Sequence, residues 1–168
     1  MKIILFLSLL IWVIPGFGKV KIQKPRSQHV TAFAIIVDEM TLEKTGGAVE
    51  AYRDALEADG LSTYIVSGNW KNPDEVKAEI IKLNKRKPVL EGVVFIGDIP
   101  VALIRNAQHM TTAFKMNEDE FPFPESSVPS DRFYDDLHLT FDFICQDSVN
   151  TSHFYYKLRE DSPQQLHL

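Results

Sequence analysis

Near neutral pH the readiest nucleophile and bases of this 168-residue chain are one thiol, Cys145, and five imidazoles: His29, His109, His138, His153 and His167. A cysteine attacks as its thiolate, so Cys145 with His138 or His153 is the minimal dyad the chain could assemble. Cys145, however, follows the apolar run Phe141 to Ile144 with no glycine-rich turn to expose it, the setting of a packed thiol. The histidines lack the i, i+4 and Cys-x-x-Cys spacings of a closed metal site, and each reads as a surface or loop residue. Carboxylates are better placed. Asp38 and the pair Gly97-Asp98 each follow an apolar run, and in open parallel sheets ligands gather beyond the carboxyl ends of strands. The plainer role for both aspartates is to accept backbone N–H groups and shape the turn.

Those apolar runs define the elements that hold the carboxylates. Ala32 to Val37 reads as a strand buried on both faces. Apolar residues at helical spacing predict a helix over Gly46 to Asp59, with Thr45 as N-cap and Gly60 as its stop. Leu61 to Val66 is a second short strand. Asn72-Pro73-Asp74-Glu75 then combines a capping side chain, a first-turn proline and a carboxylate three residues past the cap, a strong helix start. Val76, Ile80 and Leu83 give that helix its buried stripe, and Lys85 to Lys87 suit its negative end. Val89 to Ile96 contains a third buried strand. Strand, helix, strand, helix, strand is the pattern of right-handed crossovers over a parallel sheet, so the fold class expected is α/β, a three-layer α/β/α sandwich with a mostly parallel sheet. Beyond it, Ile99 to Arg105 suggests a short helix after Pro100, Met116 to Pro129 a long surface loop, and Leu139 to Ile144 a further strand at a sheet edge. The tail from Gln146 is polar, with no closing element.

The first residues carry an export signal: Lys2, the apolar run Ile3 to Ile14, then Pro15 and small residues at Gly16 and Gly18. The run falls short of the about 20 residues needed to cross a bilayer, so no retained membrane segment is expected. The sequence thus divides into a signal at 1–18, a polar lead-in at 19–31, one α/β domain at 32–145 and a tail at 146–168. The mature chain is expected to be secreted, periplasmic or on the cell surface. With one cysteine it cannot form an internal disulfide there. Charge is uneven: residues 19–115 hold 14 Lys/Arg against 12 Asp/Glu, whereas 116–147 hold nine acids against Arg132 alone. That acidic stretch disfavours nucleic acid as a partner and reads first as a solvated loop. No phosphate-binding glycine loop is present. Asp38-Glu39 invites comparison with a receiver domain, which an export signal opposes. Asn150-Thr151-Ser152 matches a glycosylation acceptor, a triplet too common to decide the compartment.

Two segments carry a family resemblance. Leu90 to Pro100 (LEGVVFIGDIP) and, further on, Pro129-Ser130-Asp131-Arg132-Phe133-Tyr134 resemble the signature of gingipain-type cysteine peptidases, in which a buried strand ends in Gly-Asp and a Ser-Asp-x-x-Tyr segment opens the next element. The resemblance covers about residues 32 to 144 and implies a caspase-like fold, peptide or protein substrates, and cleavage by a Cys/His pair. Gly97, Asp98, Ser130, Asp131 and Tyr134 transfer as motif positions near the expected cleft. No catalytic residue transfers, because the family's Gly-His-Gly-like turn and strand-terminal cysteine have no match here. Calcium binding, seen in the family, would suit the acidic loop, but no EF-hand spacing supports it.

The leading expectation is therefore the amino-terminal half of an exported peptidase domain, incomplete and inactive alone, with an uncovered sheet edge inviting association. A complete, non-enzymatic secreted module binding a peptide, glycan or surface partner is the alternative. A different small hydrolase built on Cys145 is the third.

Overall fold

The computed structural model describes residues 20–105, 120–159 and 161–162. The export signal, His109, His167 and the start of the acidic loop at 116–119 lie outside the described residues. Among those described, no helix is long and apolar enough to cross a membrane.

The protein is α/β, as its alternating apolar runs require, but it is built on two small mixed sheets. In the first, β2 (Thr31–Asp38) lies between β3 (Leu61–Gly68) and β4 (Val89–Ile96), parallel to both. The short β1 (Lys21–Gln23), from the expected polar lead-in, adds antiparallel to β3, giving the order β1-β3-β2-β4. The crossovers are α1 (Glu39–Ala58) and α2 (Pro73–Asn84). Because β3 and β4 flank β2 on opposite sides, two right-handed crossovers place their helices on opposite faces of the sheet. The packing agrees. Val49, Leu42 and Leu56 of α1 meet Ile35, Val37 and Ile65 on one face. Val76, Ile80 and Leu83 of α2 join Ala34, Ile36 and Val66 on the other.

The second sheet has the order β6-β5-β8-β7, formed by β5 (Val101–Arg105), β6 (Val128–Pro129), β7 (Phe141–Gln146) and β8 (His153–Leu158). Its apolar residues Ala102, Ile104, Phe154 and Tyr156 share the α2-side core with the first sheet. The short helices α3 (Phe123–Ser126) and α4 (Arg132–Asp135) punctuate it, and Phe133 of α4 is wedged against Tyr156 and Phe141 at ring distances of 4.6 and 5.0 Å.

Several expectations are corrected here. Helix α1 starts at Glu39, seven residues before Gly46, because the Asp38 carboxylate accepts from the Thr41 N–H at 2.9 Å and is the true N-cap. Thr45 sits inside the helix, its hydroxyl donating to the Thr41 carbonyl. Ile99 to Arg105 is no helix: Val101–Arg105 forms strand β5 because β6 and β8 flank it. The described part of Met116 to Pro129 is not simply loop, since α3 and β6 lie within it and Ser126 and Ser127 are buried. The tail from Gln146 does contain a closing element, β8, the interior strand that joins β5 to the expected edge strand β7. The expectation of a single mostly parallel sheet gives way to two sheets, the second with only β5 and β8 parallel. Finally, β4 is not buried; every residue in it is partly or fully exposed.

Candidate functional site

Connections leave β2 and arrive at β4 on opposite faces of the first sheet, so the carboxyl ends of these two neighbours form a topological switch point, the place where open α/β sheets bind ligands. The sequence puts Asp38 on one lip and Gly97-Asp98 on the other. The structure ties them together. Asp38 Oδ1 accepts from the Thr41 N–H at 2.9 Å, and its Oδ2 accepts from the Asp98 N–H at 2.8 Å. Burial pushes the Asp38 carboxyl up, but hydrogen bonds from Thr41 and from the Asp98 backbone outweigh it and hold the group below the usual carboxylate range. Gly97 has φ +87°, and a Cβ there would fall 1.9 Å from Asp38 Oδ2. Asp38 and Gly97 therefore make the turn itself, and the two lips are closed on each other.

Asp98 is different. Its side chain is exposed and accepts from the Ser152 hydroxyl at 3.2 Å, bridging the first sheet to the turn before β8. Above that bridge lies a crevice of about 230 Å³ lined by residues that include Trp70, Lys71, Asp98, Gln146, Thr151 and Ser152. This lining presents one carboxylate with hydroxyl, amide and ammonium groups, suited to hydrogen bonding a polar group. Trp70 anchors its floor by donating from Nε1 to the Val37 carbonyl at 3.1 Å, with its ring against Gly68.

The two motif segments do meet. Tyr134 in α4 is buried, and its hydroxyl donates to the Pro100 carbonyl at 2.5 Å, two residues beyond Asp98. Its ring packs edge-on to Phe95 of β4 at 4.8 Å. Burial raises the phenol far above its ordinary value, keeping it a neutral donor. The Ser130 N–H donates to the Ala102 carbonyl, and the Ser130 carbonyl accepts from Phe133, so Ser130 acts through its backbone in starting α4. Asp131 does not face the crevice of Asp98. It lines a larger groove of about 510 Å³ that runs along β4, with Glu91, Val93, Phe95, Tyr134 and Asp135 among its walls. Of the motif positions, Asp98 lines the small crevice and Asp131 and Tyr134 the groove, whereas Gly97 and Ser130 line neither.

The remaining candidates do not converge. Cys145 on β7 is half-buried and pairs with Tyr155 of β8. The His153 ring lies 3.0 Å from the Asn150 amide, whereas His138 is exposed on a turn and His29 bonds to Ser27 near β1. Among the described residues, no cluster of three or more His, Cys, Asp or Glu side chains could hold a metal ion. Ser152 and Trp70 were not singled out by sequence as site residues. A lone Trp directly after a strand, in Gly68-Asn69-Trp70, was an available signal for the second.

No family model matches this chain, and neither a curated protein nor a solved structure matches it.

Proposed function

We propose that this chain is the amino-terminal part of an exported gingipain-like cysteine endopeptidase domain, a three-layer caspase-like scaffold that acts on peptide or protein substrates and carries no catalytic dyad of its own. The observation that carries this reading is the bond between the two motif segments: the Tyr134 hydroxyl on the Pro100 carbonyl, next to Gly97-Asp98 at a strand end. The order β3-β2-β4 with helices on both faces also supports it. Peptide cleavage by this chemistry needs a thiolate, a histidine to manage the proton and backbone donors for the oxyanion. The pairing of Cys145 with Tyr155 and the contact of His153 with Asn150 support a reading in which neither takes those roles. Signal removal near Gly18 would deliver the scaffold to a secreted, periplasmic or surface location.

The test compares the chain as given with a chain extended by whatever coding sequence follows codon 168. The chain alone is expected to leave fluorogenic peptides intact and to resist histidine-dependent labelling by a thiol-directed peptide electrophile. The extension is expected to add a Gly-His-Gly-like turn and a strand-terminal cysteine, and with them activity. Turnover by the chain alone, lost in Cys145→Ala, would contradict the reading. So would a stop followed by unrelated sequence. A second reading, a secreted non-enzymatic binding module, is favoured by one observation, the open groove along β4.

A further inference from the structure

Strand β4 hydrogen bonds to β2 on one side only, so its outer side presents alternate backbone N–H and C=O groups that meet no strand among the described residues. Natural edges are blunted by lysines, prolines or bulges. β4 has one such device, a bulge at Glu91, opposite the register shift between Ala32 and Phe33. From Gly92 to Ile96 the sequence is GVVFI, uncharged and free of proline. That unguarded stretch is about 16 Å long at the usual strand rise.

Beside it lies the groove of about 510 Å³, a size typical of ligand sites. Its floor is apolar: Leu90, Val93 and Phe95 of β4 and Leu137, packed at the margin of the main core, with the buried Ile80 of α2 beneath. Its charged wall residues are Glu91, Asp131 and Asp135, all exposed, and among the described residues no Lys or Arg lines it. A second copy of this chain pairing edge to edge would bring two such acidic walls together, which like-charge repulsion opposes.

We propose that β4 and this groove dock an extended segment of another polypeptide as an added strand, one whose groove-facing side chains, at every second position, combine apolar residues with Lys or Arg. Main-chain bonds to Gly92–Ile96 supply affinity, and the side chains on the groove side meet both the apolar floor and the carboxylates, which select for positive charge. The proposal goes beyond the peptidase scaffold and does not rest on it.

The test is fluorescence anisotropy with the full chain and a ten-residue capped peptide whose every second residue, the groove-facing set, is in turn Val and Lys, with Thr at the positions between. Saturable binding is expected, weakened about tenfold or more by raising salt from 50 to 300 mM, in line with screening of exposed charges. A matched peptide with Glu for Lys should bind at least tenfold more weakly, as should the Lys peptide against Asp131→Lys/Asp135→Lys, two exposed positions whose folding is checked by thermal melting. A Lys peptide N-methylated at alternate residues, which leaves the protein untouched, should lose binding because it cannot complete the ladder. Absence of binding, equal binding of the Glu peptide, undiminished binding of the N-methylated peptide, or a dimer in sedimentation that excludes the peptide would each overturn the proposal.

Discussion

β2 and β4 lie side by side in one sheet and are built from nearly the same residue types, Thr-Ala-Phe-Ala-Ile-Ile-Val against Val-Leu-Glu-Gly-Val-Val-Phe-Ile. Their environments are opposite. Ala34 to Val37 of β2 are completely buried, whereas no residue of β4 is. Apolar composition reports what a strand can tolerate on its faces; it does not report whether a neighbour is present along its edge. β4 has the composition of an interior strand in the position of an edge strand.

The comparison can be sharpened by paired truncations. Val37 and Val94 both face the α1 side of the sheet. Val37→Ala is expected to cost about 2 kcal/mol, from two lost methyls and a cavity that cannot collapse, whereas half-exposed Val94→Ala should cost about 1 kcal/mol or less. Urea denaturation of the two variants measures the gap; equal losses would mean that β4 is as enclosed as β2.

A smaller effect tests the joint between the same two strands. Gly97→Ala forces a side chain into left-handed backbone and against the Asp38 carboxylate, so about 1 to 2 kcal/mol should be lost, with faster exchange of the Asp98 amide. An unchanged melting temperature would show that the lips of β2 and β4 are not tied through Asp38.

The smallest expected effect is one of pH. The folded Asp38 carboxyl titrates below its ordinary 3.8, so its stabilisation is complete above that value and fades as pH falls through the lower folded one. Asp38→Asn turns an acceptor into a donor facing the Asp98 N–H and should cost about 1 kcal/mol at pH 7. The two proteins should converge in acid. A constant difference down to pH 2 would separate Asp38 from the acid sensitivity.

What sequence made legible follows the same division. Local signals were strong wherever the physics is local: Asn72 caps α2 as its Asn-Pro-Asp-Glu start predicts, its side chain accepting from the Glu75 N–H, and Gly60 ends α1 with φ +94°. Gly46 and Gly47 hid the first seven residues of α1, because two poor helix formers masked a helix that Asp38 nucleates and the sheet then supports. β5 and β8 were missed because a short apolar run becomes strand or helix according to its partners, here each other. The site was half legible. Asp38, Gly97 and Asp98 lie at the strand ends that the apolar runs imply, but the Asp98 to Ser152 bond spans 54 residues and the groove at Asp131 needs three separate elements.

Residue-resolved amide hydrogen exchange on the full chain, with and without the Val/Lys peptide, tests the central claim most directly. The outward-facing amides among Gly92–Ile96 should exchange at least a hundredfold faster than those of Ala34–Val37 in the free chain, and should slow at least tenfold when the peptide is bound. Equal protection of the two strands in the free chain, or no change in β4 at a saturating peptide concentration, would contradict an open edge built to receive another strand.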